Sequence, residues 1–180
     1  MTYAVLLRGV NVGGVRIVME DLRLAAERRG FAGARTLLNS GNLLVKTDQS
    51  AAQVKTAMEE ELQALTGQPV PCLVRSLPQV EALLQEDSTD TEGFHHYLLF
   101  CERPLLQELE ALYAGHPALP GEALFGKGQD IHWKVQKERT LEGFGSKVLG
   151  SARFKALLTS RNLRTVMKIR EGLRAMEEKG

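Results

Sequence analysis

Two stretches of this 180-residue chain gather residue types suited to holding an anion. The first is Arg8-Gly9-Val10-Asn11-Val12-Gly13-Gly14, where the apolar run Ala4 to Leu7 breaks into a loop with one cation and three glycines. Glycine tolerates positive φ and close backbone approach, so N–H groups near Val12 to Gly14 can form an anion nest beside Arg8 and Arg16. The second is Arg161, Arg164 and Lys168, spaced i, i+3 and i+7, which a helix would place in one basic strip with Thr165 among them. Arg161 and Asn162 would start that helix, where free N–H groups add to an anion site. Between them in the chain, Ser40-Gly41-Asn42 has the composition of a tight turn. Ser40 lacks a His/Asp set at recognisable spacing and a G-x-S-x-G context, so it is not read as a nucleophile.

Other chemistries find less support. The glycine loop lacks G-x-x-x-x-G-K-[ST] and G-x-G-x-x-G, and Glu20 and Asp21 open the next helix where they would repel an anion at its end. His95, His96, His116 and His132 have no metal-pair spacing, and Cys72 and Cys101 sit singly in apolar runs as small buried side chains. No metal, disulfide or cofactor is expected. A base-stacking sheet would need aromatics on its two central strands, and only Tyr3 qualifies, which disfavours nucleic acid. No apolar run approaches the roughly 18 residues of a spanning helix, and Met1-Thr2-Tyr3-Ala4 shows no secretory pattern, so a cytoplasmic protein is expected. Charge is uneven: residues 1–126 hold 10 Lys/Arg against 16 Asp/Glu, whereas 127–180 hold 13 against 6. The basic tail suits an anionic partner or an acidic neighbour within the chain.

The elements that must position these residues follow from periodicity. A buried strand at Ala4–Leu7 leads to a helix from Met19 to Arg29, then strands Ala34–Leu38 and Leu43–Lys46 joined by the Asn39–Asn42 turn. Ser50 caps a helix with Val54, Met58, Leu62 and Leu65 inward. A fourth strand runs over Val70–Val74, where Pro71 predicts a sheet edge or a late start. A bridging helix over Leu77–Leu84 and a polar linker at 87–93 separate a first unit, 1–86, from a second, 94–180. The second opens with a strand at Phe94–Cys101 and a helix after Pro104. It continues with a hairpin over Ala123–Gly126 and Ile131–Val135 whose His132, Lys134 and Gln136 side should meet water, and closes with helices at Ser146–Leu158 and Arg161–Met176. The expected fold is α+β: two tandem ferredoxin-like units with antiparallel sheets, βαββαβ then βαββαα.

Leu6-Leu7-Arg8-Gly9-Val10-Asn11-Val12-Gly13-Gly14, Met19-Glu20-Asp21-Leu22, Ser40-Gly41-Asn42, Gly145-Ser146-Lys147 and Arg161-Asn162 with Thr165 and Lys168 closely resemble a bacterial family known only as a domain of unknown function. Its members open with LLRGINVGG. Val10 replaces the usual isoleucine, and Leu163 stands where tryptophan is frequent. The resemblance implies tandem ferredoxin-like units and brings no activity, cofactor or substrate. Its motifs add Ser146 and Lys147 to the polar residues of interest. The sequence thus predicts a binding protein for a phosphate-bearing small ligand or nucleotide, held by Arg8, Asn11, Gly13, Gly14, Ser40, Asn42, Lys147, Arg161, Asn162, Thr165 and Lys168. A metal-independent enzyme on an anionic substrate and a homodimer or interaction module are the competing readings.

Overall fold

A computed structural model describes residues 1–11, 15–84, 92–154 and 157–178; Gly13, Gly14 and most of the expected 87–93 linker lie outside these. The chain runs β1 (Thr2–Leu7), α1 (Met19–Arg28), β2 (Arg35–Thr36), β3 (Asn42–Lys46), α2 (Ala51–Thr66), β4 (Cys72–Ser76) and α3 (Leu77–Leu83). It continues with β5 (Phe94–Cys101), α4 (Arg103–Ala114), β6 (Ala123–Lys127), β7 (Asp130–Gln136), a 3-10 segment (Lys137–Glu142), α5 (Phe144–Gly150), β8 (Leu158–Asn162) and α6 (Leu163–Glu177). Two compact units result: Met1–Glu81 with Met167–Gly180, and Ala82–Val166. The expected division had assigned the whole of the closing helix to the second.

Each unit carries a four-stranded antiparallel sheet, in the orders β2-β3-β1-β4 and β6-β7-β5-β8. The two orders are one topology used twice, with the first strand of each unit central and its last strand beside it. That is the order a split βαβ pair generates. The fold is α+β, two tandem units. The helix expected over Ser146–Leu158 is the shorter α5, ending at Gly150, and Leu158–Asn162 is a strand, not the junction of two helices, so the second unit is βαββαβ followed by α6. The five residues Leu158-Thr159-Ser160-Arg161-Asn162 show little apolar character, and their extended form comes from pairing with β5.

In the first unit β1 is buried along its whole length. Its odd-numbered side chains join Leu43, Val45, Cys72 and Val74 with Leu22, Ala26, Val54, Met58 and Leu62 in one core under α1 and α2. Ser50 and Gln53 form a reciprocal capping box on α2, and Gly67 ends it at φ 73°. Leu65, expected inward, is exposed. β4 begins only at Cys72 and lies at the sheet edge, satisfying both halves of the Pro71 argument. The body of α6 covers the opposite face: Thr2 Oγ1 donates to Glu177, Lys46 Nζ to the Met176 carbonyl, and a Cβ on Gly172 would stand 2.5 Å from Leu44. In the second unit Leu99, Cys101, Ile131, Trp133 and Val135 pack with Leu105, Leu109, Phe144 and Val148. Both cysteines are buried free thiols, and burial pushes the Cys72 thiol up to about 12.

Candidate anion-binding site

The glycine loop and the hairpin tip of the first unit meet at the end of β1. Leu7 N donates to the Gly41 carbonyl at 2.8 Å, and Arg8 N to that of Pro71 at 3.0 Å. Gly41, at φ 71°, is pressed against Val10 and Leu7, whose Cβ an added methyl would meet at 2.9 Å. Asn11 holds φ 59° and spends its amide on backbone: Oδ1 accepts from Ile17 N, while Nδ2 donates to the carbonyls of Ile17 and Asn39, each at 3.0 Å. Asn42 is wholly buried and donates to the Leu37 carbonyl and Ser40 Oγ. These three motif residues therefore shape the turn. Arg8 is half-buried, and desolvation holds its guanidinium below the usual arginine range. An open concavity of about 570 Å³ beside the turn is lined by Asn11, Asn39, Arg16 and the Ile17–Glu20 segment. Glu20 keeps a carboxylate on that wall, ion-paired to Arg23, which opposes an anion there. The expected nest near Val12–Gly14 lies outside the described residues.

The second unit arranges its predicted residues differently. Arg161 is on β8, not on a helical strip; it is buried, its Nη1 donates to Thr159 Oγ1 at 2.8 Å and to the Ser160 carbonyl at 2.7 Å, and burial pulls it down to about 10. Asn162 caps α6, accepting the Thr165 N–H at 2.8 Å, and Thr165 itself is buried. Lys147 is exposed beside His116, and Ser146 Oγ donates to the Thr140 carbonyl. Gly145 of the same motif lies where any Cβ would enter the Trp133 ring. Lys168 is exposed on the part of α6 that belongs to the first unit.

A tighter recess lies where β5 begins and β8 gives way to α6. It encloses about 230 Å³ between Phe94, His95, His96, Lys137, Asn162, Leu163 and Arg164. Lys137 and Arg164 are exposed and His95 half-exposed, so three groups able to carry positive charge surround the first turn of a 15-residue helix. Asn162 takes the Thr165 N–H of that turn, which is the positive end of the helix. His96 forms the floor. It is 4% exposed, and its Nε2 lies 2.8 Å from Nδ1 of His132, which is entirely buried. His132 thus contradicts the expectation that its side of β7 meets water: this face of the second sheet is buried as well. Of the residues the sequence singled out for anion binding, Asn162 and Arg164 line the recess. His95, His96 and Lys137 escaped the sequence because the strand order that seats β8 beside β5 was not foreseen there; repeating the first unit's βαββαβ pattern would have indicated it.

A family model described as "Protein of unknown function (DUF1697)" matches residues 1–124. The chain belongs to this family. Among solved structures, the DUF1697 chain is similar to the conserved bacterial protein SP0830 from Streptococcus pneumoniae, at 25% identity and a TM-score of 0.82, over 96% of this chain and 98% of that one. No curated protein matches it. The DUF1697 match takes in the glycine loop, the first hairpin, and His95 and His96, while Lys137, Asn162 and Arg164 lie beyond it.

Proposed function

We propose that this protein is a cytoplasmic binding protein for a small phosphate-bearing ligand, and that the recess between β5, the 3-10 segment and the start of α6 is the site in its ferredoxin-like second unit. The observation that carries this reading is the convergence of Lys137, Arg164 and His95 on a helix N-terminus in one concave volume of about 230 Å³. Such a volume suits a phosphate group with a few atoms of its bearer, leaving the base of a nucleotide outside. Arginine and lysine around backbone N–H groups recognise phosphate by charge and by directed hydrogen bonds. The neutral or hydroxyl-rich side chains that would recognise an uncharged sugar are scarce on these walls.

Calorimetric titration and thermal shift with inorganic phosphate, sugar phosphates and nucleoside monophosphates test the reading. A bound ligand at about a hundred times its Kd raises stability by about 2.7 kcal/mol, a readily visible shift. Lys137→Ala and Arg164→Ala should abolish it, while Arg28→Ala, a cation paired with Glu61 in the first unit, should leave it. If none of the three ligand classes shifts the midpoint of the unaltered chain, the proposal fails.

A further inference from the structure

Behind the recess lies a second layer of ionisable groups. His96 pairs in register with Lys134 and Leu98 with His132, so the two imidazoles leave the same face of the sheet on a diagonal. At 2.8 Å their nitrogens form an N–H···N hydrogen bond, one ring donating and the other accepting. Phe125 stacks on His132 with centroids 5.0 Å apart and planes 15° apart. Hydrocarbon thus closes the inner end, and the outer ring forms the floor of the recess.

We infer that an anion entering the recess draws a proton onto the His96–His132 pair, so that ligand affinity is set by pH. The inference rests on the reading of the recess as an anion site. Among the described residues, the charges around the pair are mostly cationic. Lys134 stands beside His96 on β7, Lys127 lies at the end of β6, and Arg161 is level with Leu98 on β8. Lys137 and Arg164 stand at the rim. Asp130 is the acid on the β7 side, and it accepts the Cys101 N–H. Burial, His96, Lys127 and Lys134 hold His132 down to about 4, against a smaller opposite pull from the Leu83 backbone. His132 is therefore neutral at neutral pH in the absence of ligand.

An anion held by Lys137 and Arg164 adds negative charge one ring away and favours the charged pair. The proton comes from solvent. Whichever tautomer the neutral pair adopts, the product is the same cation: one shared proton between Nε2 and Nδ1, and one on each outer nitrogen. Linkage then requires affinity to rise as pH falls, about tenfold for each unit by which the anion raises the pair's pKa. His96 binds; His132, which touches no ligand, is a positioning residue that disperses the charge.

Sulfate is the probe, because its own charge stays constant between about pH 8 and about pH 5, the interval over which histidines respond. Titration of the full chain should show affinity rising as pH falls across that interval, by about tenfold where the anion brings the pair's pKa about one unit above pH 5. Part of the rise should persist in His95→Gln, which removes the recess's other imidazole, and none should remain when His96→Gln and His132→Gln are added to it. A flat profile in the unaltered chain overturns the coupling and leaves the anion site standing, as does a slope lost entirely in His95→Gln. No sulfate binding at any pH overturns the site itself. Should the triple variant not fold, ring-nitrogen NMR of the unaltered chain decides: His96 and His132 must titrate together, at higher pH with sulfate than without, and an unmoved titration refutes the coupling.

Discussion

In both units the first strand ends beside the hairpin joining the second and third, and the amide there needs an acceptor. In the first unit Leu7 N finds the Gly41 carbonyl; in the second Cys101 N finds the Asp130 carboxylate. The contrast extends inward. The first unit's core beneath α1 and α2 is built from aliphatic and aromatic side chains, with its turn fixed by glycine and asparagine on backbone. The second hangs on Glu122, nearly buried, whose Oε1 accepts Trp133 Nε1–H at 2.8 Å and Phe144 N–H at 2.7 Å while Oε2 accepts Leu119 N–H at 3.2 Å. Its other face buries two histidines and an arginine, where the first unit's buries Arg75 without histidines. One topology thus leans more on backbone fit in the first unit, where Glu59 and Arg75 still serve the sheet, and more on ionisable side chains in the second, so charge should act more on the second unit and added volume more on the first.

The sharpest way to break this contrast is Glu122→Ala. It leaves the Trp133 and Phe144 donors in the interior with no acceptor, and two such orphans cost about 4 kcal/mol. Urea denaturation followed by the chain's single tryptophan, Trp133, reads the second unit directly. Glu122→Gln, which keeps one acceptor oxygen, should lose less than half as much. A loss below about 1 kcal/mol for the alanine variant would show that the carboxylate is not what holds α5 to the sheet.

Acid is the next largest perturbation. A histidine of ordinary pKa, about 6.5, protonates in the unfolded chain before His132 does in the folded one, where it is held near 4. The folded state therefore binds fewer protons in that window. The stability His132 contributes is complete above about pH 6.5 and is lost as pH falls toward 4, a change of about 3 kcal/mol. Carboxylates lose stability over the same range, so the readout is the difference between the unaltered chain and His132→Gln. Parallel pH profiles for the two would mean that burial of this ring has no thermodynamic consequence.

The contrast also explains what was legible in the sequence. β1, α2 and β5 announce themselves through continuous apolar runs, a Ser/Gln cap and helical spacing, signals that local chemistry alone can carry. In the first unit the order of strands follows from these plus Pro71. β8 did not declare itself, because Arg161 and Thr159 are polar residues buried by tertiary packing, and their spacing imitated a basic helix. His132 misled for the same reason: alternation in β7 marks two faces but not whether both are covered. The recess depends on β8, so His95, His96 and Lys137 could not be assembled without it. In the first unit, by contrast, Asn11 and Asn42 were legible as important and misread as to purpose, since an amide that serves backbone and one that serves a ligand look alike in one dimension.

A matched pair of glycines sharpens the comparison at the smallest scale. Gly41 and Gly128 sit in corresponding hairpins at φ 71° and 65°, so both resist a side chain through backbone conformation. Their surroundings differ. A methyl on Gly41 would meet Leu7 Cβ at 2.9 Å and overlap Val10, whereas on Gly128 its nearest neighbour is a Leu83 methyl at 3.9 Å, ordinary contact. Gly128→Ala should therefore cost only the left-handed penalty of about 1 kcal/mol, while Gly41→Ala adds overpacking for about 2–3 kcal/mol in all. Hydrogen exchange locates the damage: the Leu7 amide, bonded to the Gly41 carbonyl, should lose protection in Gly41→Ala, and the Cys101 amide, held by Asp130 rather than by backbone, should keep its protection in Gly128→Ala. Equal costs at the two glycines would mean that the first hairpin is no more tightly fitted than the second.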